Sequence, residues 1–243
     1  MISVSNYILK MYFKSGRWWL DLVLFLCFFL VILDEPAGAD FSTSSFALTV
    51  FLCVFSVFII IRQFRRSVHE EYIPLVVRKV GRVGVVSGMV FSQGCLLAAY
   101  TILGFGFLCF DSVFRSQISM IAFSYTLIGS WIAALTAGIW VFHFLDFFRP
   151  YSRNLTPLGL CLLLLGFSMI SSVFSNYLSP FATVIVQHVL PPLNPLIHWV
   201  GVRQLSFMAW GELTYAVIYI GGLIFWAIYR WKRIDLFIRV PRY

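Results

Sequence analysis

The chain has 243 residues, of which 60% are hydrophobic and only 12% are charged. A soluble domain is closer to half apolar and a quarter charged, so this composition excludes an ordinary soluble domain and indicates a membrane protein. The formal net charge of +8 would favour a nucleic-acid partner for a soluble protein. Here the basic residues flank apolar runs, as topology signals do, and we expect no nucleic-acid partner.

The apolar residues form runs that are long enough to cross a bilayer as helices. A spanning helix needs about 20 mostly apolar residues, and runs of this length are helical in a membrane. We predict an all-α integral membrane protein with six transmembrane helices in a single domain over 1–243. The predicted spans are about 18–33, 46–62, 86–110, 117–145, 157–178 and 206–229.

Residues 1–17 predict an amphipathic helix ahead of the first span. Lys10, Lys14 and Arg17 share one helical face, and apolar side chains cover much of the remainder. Such a helix is expected to lie in the membrane interface.

The polar interruption between spans 2 and 3, residues 67–83, is the longest in the chain. On a helical wheel Glu70, Glu71, Arg78 and Arg82 fall in one arc, opposite an apolar arc. Basic interfacial helices often only anchor a protein, but anionic lipid would repel the paired glutamates. We therefore interpret the segment as a docking surface for a cytoplasmic partner. Its predicted contact residues are Glu70, Glu71, Tyr72, Pro74, Arg78, Lys79 and Arg82.

Small residues recur at four-residue spacing in span 4, which lets helix backbones approach closely. One row is Gly129, Ala133 and Ala137, and the other is Ser130, Ala134 and Gly138. They predict helix packing within the chain or a subunit interface.

Span 5 carries several serines, which either bond their own helix carbonyls or line a substrate path. These candidate lining residues are Ser168, Ser171, Ser172 and Ser175.

Residues 179–205 are apolar but contain four prolines, and no uninterrupted run there is long enough to cross a bilayer. We predict short re-entrant helices between spans 5 and 6, whose irregular backbone must be buried in protein or line a cavity.

The basic residues are strongly biased towards one side of the predicted spans. All lysines and arginines except Arg115 and Arg203 lie on the side that carries both termini and the 62–86 loop. By the positive-inside rule, both termini are predicted to be cytoplasmic.

Motifs of nucleotide binding and catalysis do not occur in the sequence. It has neither a P-loop pattern nor a His-Glu-x-x-His pattern. None of the five cysteines is paired at a metal-ligand or redox spacing. His143 and Asp146 are interpreted as a structural pair at the membrane edge. We expect no enzyme activity, metal or cofactor in this chain.

Four features together resemble the membrane permease of the ABC-2 type exporters. These are the helix before span 1, the 67–83 segment ending in Arg78, Lys79 and Arg82, the broken outer segment with Asn194-Pro195-Leu196, and the basic residues before Asp235. The resemblance implies that two such permeases, identical or paralogous, pair in the bacterial cytoplasmic (inner) membrane. Separate cytoplasmic ABC ATPase subunits, which hold ATP and Mg, would dock beneath them on the coupling segment.

The substrate is expected to be amphiphilic, such as a lipid, glycolipid, peptide or drug, because the spans offer few charges for an ion. Two alternatives remain open. A haem-handling or cofactor-handling membrane protein would use His143, His188 and His198 as candidate ligands. A membrane scaffold would dock cytoplasmic partners and transport nothing.

Overall fold

A computed structural model describes residues 2–14, 16, 18–33, 41–68, 81–110, 119–147, 162–166, 168, 191–200, 202 and 206–233. Every regular element in these ranges is a helix, which confirms the all-α prediction for this part of the chain. The helices are α1 (Ile2–Lys14), α2 (Trp18–Leu33), α3 (Phe41–Val68), α4 (Gly81–Phe110), α5 (Met120–Phe147), α6 (Leu193–His198) and α7 (Phe207–Arg233).

Among the described residues, four helices are long and apolar enough to cross a membrane. The candidate spans are Phe41–Ile61 in α3, Val83–Leu108 in α4, Met120–Phe144 in α5 and Phe207–Arg230 in α7. They overlap predicted spans 2, 3, 4 and 6. The apolar stretch of α2, Trp18–Phe28, is shorter, and most of predicted span 5 lies outside the described residues. The chain is therefore a multi-pass membrane protein by the length and composition of its helices.

Helix α5 lies at the centre of the bundle. It packs most extensively on α3 and also contacts α4, α6 and α7. Within the candidate spans, 67% of α5 is buried but only 17% of α7. Helix α7 is thus peripheral in the described bundle, and most of its apolar surface faces outward.

Contacts between named side chains give the directions of the helices. Thr49 of α3 meets Ser130 of α5, and Ser56 lies at Gly138 further along both helices, so α3 and α5 run in the same direction. Helix α4 runs the opposite way, because Gly104 lies near Leu48 and Gln93 near Ser56. This alternation follows from the short connections between consecutive long helices.

The two predicted rows of small residues lie inside this chain. All six residues are buried. Ser130 and Gly138 face α3 or α4, whereas Gly129 faces Val200 beyond the end of α6, so small residues let several neighbours approach the α5 backbone. At Gly138 an added Cβ would overlap the Gln93 side-chain nitrogen and the Ser56 hydroxyl. Both rows are thus buried by packing between helices of one chain, and a subunit interface at them stays a prediction.

The predicted N-terminal helix is present as α1, and it packs lengthwise on α4. Its face of Val4, Ile8 and Tyr12 is buried, whereas Lys10 and Lys14 are exposed. An added Cβ at Gly88 would overlap Val4, and the Tyr12 hydroxyl lies 3.5 Å from that of Tyr100. Helix α1 therefore follows α4 in the same direction over part of its candidate span. The contacts between α1 and α4 are closer than those of a helix that only lies on the membrane surface. The interfacial location of α1 remains a prediction.

Replacing Gly138 by alanine is expected to destabilise the bundle by about 1–3 kcal/mol, because the added methyl group has no space between Gln93 and Ser56. Thermal midpoints of the protein in detergent, read by the loss of the monodisperse peak, would measure this. The matched control is Gly106→Ala in α4, where an added Cβ meets nothing within 4 Å. Equal midpoints for the two variants would contradict the close approach of the three helices at Gly138.

Candidate functional site

The predicted docking segment connects two helices that pack on each other. Residues 69–80, which include all its predicted contact residues except Arg82, lie outside the described structure; Arg82 lies in the first turn of α4. Helix α3 continues to Val68, seven residues beyond its candidate span, or about 10 Å. A helical extension of α3 therefore leads into the segment.

Ser168 is the one predicted path-lining serine that the structure describes; Ser171, Ser172 and Ser175 lie outside the described residues. Its side chain is buried, and its hydroxyl donates a hydrogen bond to the Pro191 carbonyl. The same carbonyl accepts the Leu193 N–H at 2.7 Å. The Ser168 hydroxyl thus provides a hydrogen-bond donor for a backbone carbonyl in the irregular segment just before α6.

The described part of the predicted re-entrant segment packs beside α5 within its candidate span. Leu193, Leu196 and Ile197 belong to the hydrophobic core, and Val200 lies 3.8 Å from the position of a Cβ at Gly129. Gly129 is nine residues into that candidate span, which corresponds to about 14 Å. Burial in protein is what irregular backbone at such depth requires.

Buried polar side chains join α3, α4 and α5. The Gln93 side-chain nitrogen donates to the Ser56 hydroxyl at 2.8 Å, and the Thr49 and Ser130 hydroxyl oxygens lie 2.7 Å apart. All four side chains are fully buried. Gln93 Oε1 has no hydrogen-bond partner in the described structure. Polar contacts of this kind fix the register of membrane helices because the surrounding apolar phase offers no replacement partner.

A carboxylate that the sequence analysis did not single out is buried where α1, α2 and α4 meet. Asp21 Oδ2 accepts a hydrogen bond of 2.7 Å from the Tyr12 hydroxyl, and both residues are buried. Burial, and after it the bond to Asp21, raises the pKa of Tyr12 above its ordinary value. The phenol therefore stays protonated and remains a donor. A lone carboxylate in an otherwise apolar run was the signal that could have identified this site.

The histidines proposed as cofactor ligands lie apart. His143 Nε2 is 2.6 Å from the Leu223 carbonyl oxygen, while His198 is exposed on α6. Since Val200 lies at Gly129, α6 meets α5 fourteen residues from His143, or about 21 Å along the helix. His188 lies outside the described residues. Within the described ranges no three His, Cys, Asp or Glu side chains form a metal-binding group.

Comparisons with protein-family models, with curated proteins and with solved structures find no match to this chain. The resemblance to ABC-2 permeases therefore rests on the sequence features alone.

Replacing Tyr12 by phenylalanine removes the donor to Asp21 and is expected to destabilise the chain by about 1–3 kcal/mol. Because the pKa of Tyr12 is raised in the folded chain, this stabilisation is present at neutral pH. It decreases as the pH rises above the ordinary tyrosine value of about 10. Detergent melting of wild type and variant across this pH range would measure the difference.

Tyr7→Phe is the matched control, because Tyr7 lies on the same helix and is 38% exposed. A Tyr12→Phe variant as stable as Tyr7→Phe at neutral pH would show that the Tyr12–Asp21 bond does not hold α1 in place.

Proposed function

We propose that this chain is the membrane-spanning permease subunit of an ATP-driven ABC exporter of the ABC-2 type. It pairs with a second permease, identical or paralogous, in the bacterial cytoplasmic membrane. Separate cytoplasmic ATPase subunits, which hold ATP and Mg, dock on the 67–83 segment. The observation that carries the proposal is the attachment of this segment to α3 and α4. These helices pack on each other and on α5, so a movement of the segment would reach the centre of the bundle.

The buried hydrogen bonds support this transmission. Ser56 of α3 is bonded to Gln93 of α4, and Thr49 of α3 contacts Ser130 of α5. Helices joined in this way resist separate sliding, because a small shift would break buried polar contacts. Closing of the docked ATPases would then displace α3, α4 and α5 together, as expected for a bundle that alternates between two packed states.

The proposed topology has six spans and cytoplasmic termini. Helices α5 and α7 run in the same direction, because Tyr125 contacts Ala209 and His143 contacts Leu223. If both span the membrane, the chain between Phe147 and Phe207 must return across it once. This requirement supports the predicted span at 157–178. The excess of basic residues at the ends of α3 and α7 supports a cytoplasmic location for those ends.

Affinity purification of the chain from its own membrane in mild detergent tests the proposal directly. We expect a stoichiometric soluble protein with a P-loop to co-purify and the complex to hydrolyse ATP. A chain that purifies alone, or with partners that lack a nucleotide site, would overturn the exporter assignment. The second of these results would favour the scaffold alternative.

Charge reversal in the docking segment, by Glu71→Lys or Arg78→Glu, is expected to reduce the amount of ATPase retained per permease. A loss of about tenfold corresponds to one disrupted charge contact at an interface. Quantitative gel densitometry of the purified complex would measure it. Glu35→Lys is the matched control, because Glu35 lies in the loop predicted to be external. Equal ATPase retention by the control and both segment variants would place the docking surface elsewhere.

A further inference from the structure

The seam between α5 and α7 carries polar side chains along its whole length. The Tyr125 hydroxyl donates to the Ala209 carbonyl at 3.0 Å near one end. Near the other end, His143 Nε2 is 2.6 Å from the Leu223 carbonyl oxygen. Five half-buried residues form what we term the polar row, namely Glu212, Tyr215, Tyr219, His143 and Arg230.

The polar row extends over nearly the thickness of a bilayer. Glu212 and Arg230 are separated by eighteen residues of α7, which is five helical turns and about 27 Å. They therefore lie on the same side of the helix, at opposite ends of a distance close to the hydrocarbon thickness of about 30 Å.

Members of the row interact with one another within each half of the seam. The Glu212 carboxylate is close enough to the Tyr125 and Tyr215 hydroxyls to interact with both electrostatically. The Tyr215 and Tyr219 ring centroids are 6.4 Å apart. Arg230 interacts electrostatically with His143. The row thus has two groups: Glu212, Tyr215 and Tyr219 at the carboxylate end, and His143 and Arg230 at the guanidinium end. His143 lies at Leu223, four residues beyond Tyr219 on α7.

The spacing and exposure of the row favour a polar headgroup as its occupant. Glu212, Tyr215 and Tyr219 follow one another at about one turn, or 5 Å, along α7, and about 16 Å of helix separates Tyr219 from Arg230. Direct proton transfer requires contacts of about 3 Å. Because every member is half-buried, the row is accessible from the surface of the described bundle. The rest of α7 exposes large apolar side chains, including Ile218 and Phe225, against which acyl chains can pack.

We propose that the polar row is a path along which the headgroup of a zwitterionic phospholipid crosses the membrane while its acyl chains stay in the bilayer. Glu212 binds the ammonium group near one surface, and Arg230 binds the phosphate near the other. Tyr215, Tyr219 and His143 supply hydrogen-bonding groups between them. The inference rests on the proposed function, since it assigns the path and the substrate class of the same permease.

Passive lipid movement by the purified chain tests the path without any ATPase. The chain is reconstituted into vesicles of phosphatidylethanolamine and phosphatidylglycerol that contain a trace of acyl-labelled fluorescent phosphatidylethanolamine. Dithionite then quenches only the outer leaflet. We expect quenching beyond the outer-leaflet fraction in vesicles with the chain. A rate no higher than in protein-free vesicles would overturn the proposal.

Variants of the row locate the path. Glu212→Gln is expected to slow the movement about tenfold, as for one lost charge-assisted hydrogen bond. The double variant Tyr215→Phe with Tyr219→Phe is expected to slow it by a similar factor, as for two lost neutral hydrogen bonds. Thr214→Val is the matched control, since Thr214 is exposed on α7 and bonds its own helix at Trp210. Wild-type rates in both row variants would overturn the proposal. The tyrosine variant keeps the test decisive if Glu212→Gln fails to elute as a monodisperse protein.

The headgroup assignment has a test of its own. Acyl-labelled phosphatidylglycerol lacks an ammonium group, so Glu212→Gln is expected to leave its movement unchanged. Equal slowing of both lipids would contradict the assignment of Glu212 to the ammonium group. These results are independent of co-purification. Lipid movement by a chain that has no ATPase partner would support the path and overturn the exporter assignment. A bound ATPase, together with row variants that move lipid at the wild-type rate, would support the exporter assignment and overturn the path.

Discussion

The described bundle depends on one close approach, where α3, α4 and α5 meet around Gly138. Because α5 has no side chain there, the Gln93 amide and the Ser56 hydroxyl occupy its place and bond to each other. The neighbouring Ala134 and Ala137 are buried, and their small side chains also allow other helices to approach this stretch of α5 closely. In a membrane, lipid solvates apolar side chains as well as protein does, so close backbone packing and polar contacts must hold helices together.

The helices and the two rows of small residues could be predicted because their signals are local. A span is predicted from its own hydropathy, and close helix packing at Gly138 is predicted from its four-residue spacing to Ala134. The partners could not be predicted, because they lie far along the chain. Nothing near Val4 indicates that it packs on Gly88, and nothing near Ser168 indicates the Pro191 carbonyl.

The candidate sites follow the same division. The docking segment is a prediction from its charge pattern, and its contacts would involve residues outside the described structure and a partner protein. Asp21 and Glu212 were not singled out, although each is an ionisable residue in an apolar helix and thus a functional candidate by default. The eighteen-residue spacing places Glu212 on the same side of α7 as Arg230, but only the fold reveals that Glu212 interacts electrostatically with Tyr125 of α5. A single ionisable residue in an apolar helix is therefore a sequence signal of a site, while the partners of that residue depend on the packing of distant helices.

The pairing of Tyr12 with Asp21 has a consequence for biosynthesis. The two residues are nine positions apart, so both have left the ribosome long before Tyr100 of α4 is synthesised. The carboxylate can therefore acquire its phenol donor while α1 and α2 are the only helices present at the insertion machinery. A carboxylate that is costly to place in lipid by itself therefore enters the membrane already hydrogen-bonded. Helix α4 packs later against a Tyr12–Asp21 pair that has already formed.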